Sequence, residues 1–286
     1  MTTEPKTPTS PAWVNSTPPA ARWLRRPQPR PGARTTLVCF PHAGGTASFF
    51  LPWASLLPLD VELVAVQYPG RQDRLAERPF TTMTELADAV TEILRTSLRT
   101  DRDVVFFGHS MGAALAWETA LRLEAGPGPA PRQVFVSGRQ GPRLMRPGTV
   151  HLLPEEGLVE EVRKLGGTDP QLLADPDVRE MVLPAIRADY RLIETYRPDL
   201  TARLRCPLGV FTGDEDIEVS PEDVEAWREA SSGDFSAEVL PGDHFYLATQ
   251  PGRIISSMFG TRYGAEHGRA GEESTAPGDH GGPARP

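Results

Sequence analysis

Asp103-Val104-Val105-Phe106-Phe107-Gly108-His109-Ser110-Met111-Gly112-Ala113-Ala114-Leu115 decides how this chain is read. An apolar run gives way to helix formers within five residues, and the serine at the junction has glycine at the second position on each side. That is the nucleophile-elbow pattern between a strand and a helix. Its basis is steric: the turn is so tight that a side chain at either glycine position collides with neighbouring backbone, and the serine itself is strained. The five residues alone would also fit a surface Gly-Ser turn. Two further requirements separate the readings. A serine nucleophile needs an acid and then a base later in the chain, and backbone donors from an earlier strand-to-helix loop.

The histidines are His42, His109, His151, His244, His267 and His280. The first two precede Ser110, His151 precedes any acid-bearing loop, and His267 and His280 fall in a Gly-, Pro- and charge-rich tail unsuited to rigid geometry. His244 remains, in Leu240-Pro241-Gly242-Asp243-His244-Phe245, just after an alternating run over 235–240 that reads as the last strand. Loops at the carboxyl ends of strands are where open α/β sheets place their sites. The acid should leave the preceding strand, Leu208-Gly209-Val210-Phe211-Thr212, through Gly213-Asp214-Glu215-Asp216. Asp216 is favoured, because the first residues of such a loop form the turn and a later carboxylate reaches back. Asp214 stays open, with Glu215 third, although Asp214 also fits a loop feeding the helix near Ser220-Pro221-Glu222. Asp243 reads as a turn residue.

Thr36-Leu37-Val38-Cys39-Phe40 is a buried-strand run followed by Pro41-His42-Ala43-Gly44-Gly45. The paired glycines let backbone approach a ligand, which assigns the oxyanion donors to the N–H groups of Ala43 and Met111. His42 is expected to pack beside the site.

Phe40-Pro41-His42-Ala43-Gly44-Gly45, Gln67-Tyr68-Pro69-Gly70-Arg71, Phe107 to Ala113 and Gly242-Asp243-His244-Phe245 together resemble a type II thioesterase, from about Trp23 to about Phe259. These are stand-alone editing hydrolases of polyketide and nonribosomal peptide assembly lines. The resemblance implies an α/β-hydrolase fold and a serine that attacks an acyl thioester on a carrier protein's phosphopantetheine arm. It implies Ser110 as nucleophile, Asp216 as acid, His244 as base and Ala43 and Met111 as oxyanion donors. It further implies acyl or peptidyl carrier proteins as partners and no cofactor of the protein's own. Tyr68 to Arg71 is a family signature, of which a turn after the strand over 61–67 explains Pro69-Gly70 without chemistry. The rival readings are an acyltransferase or carboxylic-ester hydrolase with the same triad, and, from another class, a non-catalytic carrier-binding module. The intact set of nucleophile, acid, base and oxyanion loop argues against the last.

At 286 residues and 39% hydrophobic, the chain can bury one substantial α/β core. Cys39 and Cys206 are expected as buried thiols, with no disulfide or metal site. No run has the length of a signal sequence core or the roughly 20 apolar residues of a membrane span, so a cytoplasmic protein without membrane contact is expected. Net charge −8 argues against nucleic acid. It also leaves docking to acidic carriers to local arginines, with Arg71, Arg74, Arg139, Arg143 and Arg146 as candidates. A monomer is the working expectation.

Residues 1–20 and 263–286 read as disordered tails around one domain over 21–262. Within it, strands near 35–40, 61–67, 103–107, 133–137, 207–212 and 235–240 alternate with helices near 48–57, 83–98, 111–125, 221–230 and 251–258, which signals a mostly parallel, doubly wound sheet. The interval of about 143–197 breaks the alternation with helical patterns at 155–164 and 178–196, an inserted helical lid. Leu158, Val162, Leu172, Leu173, Met181, Ile186 and Tyr190 are expected to pack it, with a minority lining an acyl pocket.

Overall fold

The computed structural model describes residues 19–166 and 172–260. The expected tails, up to residue 18 and from residue 261, and residues 167–171 of the lid linker lie outside the described residues.

Seven strands form one sheet in the order β1-β3-β2-β4-β5-β6-β7. They are β1 (Leu24–Arg25), β2 (Thr35–Phe40), β3 (Val61–Val66), β4 (Asp103–His109), β5 (Gln133–Ser137), β6 (Leu208–Gly213) and β7 (Phe235–Leu240). All pairings are parallel except that of β1 with β3. The two-residue antiparallel edge strand escaped sequence reading because two residues carry no alternation to detect.

Strand side chains divide the core by parity. Val38, Phe40, Val64, Val104, Phe106, Val134, Val136 and Val210 face one layer, which holds helices α2 (Met83–Ser97) and α3 (Met111–Ala125). Leu37, Cys39, Leu63, Val105, Phe107, Phe135 and Phe211 face the other, with the 3₁₀ segment Ala47–Ser55 and the carboxyl-terminal helix over 251–259. Being covered on both faces, β2 and β3 bury every one of their residues rather than alternate between buried and exposed. β7, at the edge, is half exposed along its length.

Helix α2 starts where Thr82 accepts the Glu85 N–H, and buries Leu86, Val90 and Leu94 on one stripe. Two expected helices differ in detail. The one near 48–57 is 3₁₀, with Pro52 inside it, and the one near 221–230 divides into an α turn over 221–225 and a 3₁₀ turn over 226–230. A proline removes one intrahelical donor and disfavours the regular α ladder around it. The short helix α1 (Pro19–Trp23) takes in residues 19 and 20, which the sequence had placed in the tail.

Between β5 and β6 lie α4 (Glu155–Leu165) and α5 (Pro176–Thr195). Leu158, Val159, Val162, Leu173, Leu183 and Ile186 bury a small cluster of their own, separate from the two sheet cores. Both cysteines are free and buried. Burial pushes the Cys39 thiol well up, and burial with Glu124 nearby pushes that of Cys206 to about 12, so neither is a reactive thiolate.

Candidate active site

At the carboxyl end of β4 the chain reverses into α3 through Ser110, whose backbone sits at φ 54° and ψ −117°. The flanking glycines explain how. A Cβ on Gly112 would stand 2.1 Å from the Phe40 carbonyl oxygen, and one on Gly108 2.1 Å from that of Gly112. The elbow therefore exists only because two side chains are absent. The Ser110 N–H donates to the Ser137 carbonyl at 2.8 Å, anchoring the strained residue to β5.

The histidine loop follows β7 as the sequence predicts. His244 is buried, with Nδ1 2.8 Å from Asp216 Oδ2. The other carboxylate oxygen of Asp216 accepts the Glu218 N–H at 2.9 Å, which fixes the acid's plane. Asp214 is exposed and accepts the Gly242 N–H at 2.8 Å, stapling the acid loop to the histidine loop. Asp243 accepts the Phe245 N–H at 2.8 Å. Of the acids weighed from sequence, Asp216 is thus the one on the imidazole.

Ser110, Met111, His42, Ala43, Gly138 and His244 line one pocket, bordered on the lid side by Val162, Leu165, Tyr190 and Ile193. The backbone N–H groups of Ala43, before the first turn of a 3₁₀ segment, and Met111, the first residue of α3, belong to two loops that meet at this cavity. A hydroxyl on an elbow, an imidazole held by a carboxylate and the backbone of Ala43 and Met111 thus border one pocket, the residue types that acyl transfer needs.

Two other imidazoles border the site. His42 packs edge-on between Phe49 and Phe245, with ring centroids 4.9 and 4.7 Å away. Burial, then the neighbouring His244 and Arg71, lower its pKa to about 3. His109 is buried beside the His244 ring at 4.9 Å, with Nδ1 3.0 Å from Ser137 Oγ, and burial holds its pKa well below the ordinary value. Both are neutral near pH 7, so neither adds charge against an imidazolium forming at position 244.

Of the lid residues singled out from sequence, Val162 and Tyr190 line the cavity. Leu158, Leu173 and Ile186 pack the lid interior, and Met181 is exposed instead of lining a pocket. The side chain of Leu172 lies outside the described residues. Leu165 and Ile193, which sequence reading missed, also face the cavity; helical periodicity marks a buried stripe but not which of its ends looks into a cleft. Among the arginines offered for docking, Arg71 and Arg74 are buried and bonded internally, which removes them as surface contacts. Arg143 and Arg146 are exposed and paired with Glu229 and Asp223. Arg139 lines the cavity; its Nε finds no partner among the described residues, and burial lowers its pKa to about 10.

Comparison with known proteins places this geometry. A family model described as thioesterase domain matches residues 35–261. The probable cadicidin biosynthesis thioesterase of Streptomyces griseus is 47% identical over 228 residues, covering 80% of this chain and 62% of that protein. This chain therefore spans less than two thirds of that relative's length. Thioesterase PikA5 of Streptomyces venezuelae is 42% identical over 236 residues, covering 82% of this chain and 84% of that protein. Among solved structures, the type II thioesterase BorB from the borrelidin biosynthetic cluster superposes with a TM-score of 0.76 at 44% identity, covering 82% of this chain and 96% of that one.

Proposed function

This chain belongs to the thioesterase family as a type II member, and from that premise we propose that it hydrolyses acyl thioesters held on the phosphopantetheine arm of acyl or peptidyl carrier proteins. Its role in polyketide or nonribosomal peptide biosynthesis is then to clear stalled or wrong acyl groups. His244 takes the Ser110 proton as Oγ attacks the thioester carbonyl, and Asp216 keeps the imidazole in the tautomer that presents Nε2. The negative charge on the tetrahedral carbonyl oxygen is met by the N–H groups of Ala43 and Met111. The C–S bond breaks, the departing thiolate takes the proton from His244, and the acyl group remains on Ser110. Water then gives a proton to the same imidazole, attacks the ester carbonyl and frees the acid and Ser110.

The observation that supports this reading is the convergence of Ser110, an imidazole already bonded to a carboxylate, and two donor loops on one cavity. The apolar lid side chains Val162, Leu165 and Ile193 offer the acyl chain a wall. Replacing Ser110→Ala should abolish release of acid from a panel of acyl-loaded carrier proteins, followed by mass spectrometry, while the circular dichroism spectrum stays unchanged. Retained release in that variant would rule out the covalent route. Running acyl-coenzyme A and an ester of the same acyl chain in parallel separates a thioesterase from an ester hydrolase or an acyltransferase.

A further inference from the structure

The segment Gln67-Tyr68-Pro69-Gly70-Arg71, which the sequence explains only as a turn, is engaged with the loop over residues 41–47. The buried Tyr68 hydroxyl donates to the Pro41 carbonyl at 3.1 Å. Gln67, fully buried, accepts the Ala47 N–H at 2.9 Å. Arg71 donates to the Gly45 carbonyl at 3.2 Å, and bidentately to Asp189 at 2.8 and 2.9 Å. Asp189 sits on the lid helix α5 and is 2% exposed; its Oδ2 also accepts the Gly44 N–H at 2.7 Å. Arg74 closes the set by donating to the Gln67 carbonyl at 2.7 Å.

The arrangement bears directly on the oxyanion donor. The peptide that carries the Ala43 N–H has the His42 carbonyl at its other end, which accepts the Gly45 N–H at 2.9 Å. The next peptide, between Ala43 and Gly44, has its N–H on Asp189. Gly44 itself is at φ +74°, where a Cβ would stand 2.7 Å from Ile186 of α5, so the lid helix packs this close to the loop only because residue 44 has no side chain. Consecutive peptides around Ala43 are thus tied down, one by the loop and one by the lid. A buried ion pair kept only for stability could be replaced by apolar side chains at little cost. Here the carboxylate has a second duty that no apolar residue can take over, because it must accept the Gly44 N–H as well as hold the guanidinium.

We propose that Asp189 and Arg71 are positioning residues that set the direction of the Ala43 N–H, so that the oxyanion loop is complete only when α5 is seated on it. The inference rests on the serine-hydrolase reading above. A donor displaced by a fraction of an ångström stabilises the transition state far less while leaving ground-state binding nearly intact.

The test uses a small acyl thioester, so that carrier docking plays no part, with wild-type protein and Ser110→Ala as references. The key variant is the double replacement Asp189→Leu with Arg71→Met, which removes both charges together and so avoids stranding either. It should unfold at a temperature close to wild type and well above Asp189→Leu alone. Its kcat should nonetheless fall about 10- to 100-fold with KM within about twofold. Affinity for an acyl trifluoromethyl ketone, whose adduct with Ser110 carries an oxyanion, should fall by the same factor as kcat/KM. Asp189→Asn, isosteric and able to accept the Gly44 N–H through its amide oxygen, should retain more kcat than the double variant. Recovery of full kcat together with stability in the double variant, or unchanged affinity of the double variant for the ketone, would overturn the proposal. Hydrolysis surviving in Ser110→Ala would instead strike the underlying reading.

Discussion

His42 shows how much a single buried side chain can commit. Its ring is wedged between Phe49 and Phe245, and its Nδ1 is buried with no partner among the described residues. In the folded protein its pKa lies at about 3, whereas the unfolded chain protonates near the ordinary histidine value of about 6.5. As pH falls below that value the unfolded chain gains a proton that the folded one refuses. Stability is therefore lost between about pH 6.5 and pH 3, approaching 1.4 kcal/mol per unit. Replacing His42→Phe, which preserves the aromatic stack, should make the decline in unfolding free energy between pH 7.5 and 5.5 smaller by about 1 kcal/mol. Urea titrations at the two pH values measure it, and parallel declines in variant and wild type would refute it. At this scale the sequence carried a good deal. Chain order and strand ends single out Ser110 and His244, and packing beside the site was the expectation for His42. The choice between Asp214 and Asp216 stayed open, because two carboxylates two residues apart in one loop differ only in which way the turn aims them. The turn aims Asp214 at the Gly242 N–H and Asp216 at His244.

The strand-turn-helix of β4 and α3 is the element that makes the site possible, and its tolerance is set by backbone contact. Replacing Gly112→Ala drives a methyl group from the first turn of α3 into the Phe40 carbonyl at the end of β2, 2.1 Å away, and backbone cannot move aside as a side chain tip can. The variant should lose about 3 kcal/mol or more of stability, the upper end of overpacking costs, and activity with it. Thermal unfolding provides the measurement; a wild-type Tm would mean the elbow has slack that the contacts deny. The same element was legible from sequence because it joins two strong periodicities at a pair of glycines. The signature after β3 was not. Its tyrosine, arginine and glutamine act through bonds to residues 41–47 and 189, and no local pattern announces partners that distant.

At the scale of the whole molecule, a sheet with both faces covered supports a smaller helical unit that roofs the cavity. The buried side chains of α4 belong to the lid's own cluster, whereas Leu192 and Ile193 of α5 join a sheet core, so α4 is the part of the lid that can open with both cores intact. Amides of α4 should exchange with solvent at least about tenfold faster than those of α3 under native conditions, by opening of the lid alone. Equal protection of the two helices would mean lid and core open only together, and gating by α4 would fail. Sequence showed where this unit is inserted, since the alternation of strands and helices breaks there, but not which of its side chains reach the cavity. No described helix is long and apolar enough to cross a membrane. The central claim is that an acyl group passes from a carrier thioester to the oxygen at position 110. It is tested most directly by replacing Ser110 with 2,3-diaminopropionate, whose amine would retain the acyl group as a stable amide, and mapping the mass after incubation with an acyl-loaded carrier protein. The account predicts one acyl adduct at position 110 and a carrier returned to its free thiol. An unmodified position 110, with the same carrier still hydrolysed by the wild-type protein, would contradict it.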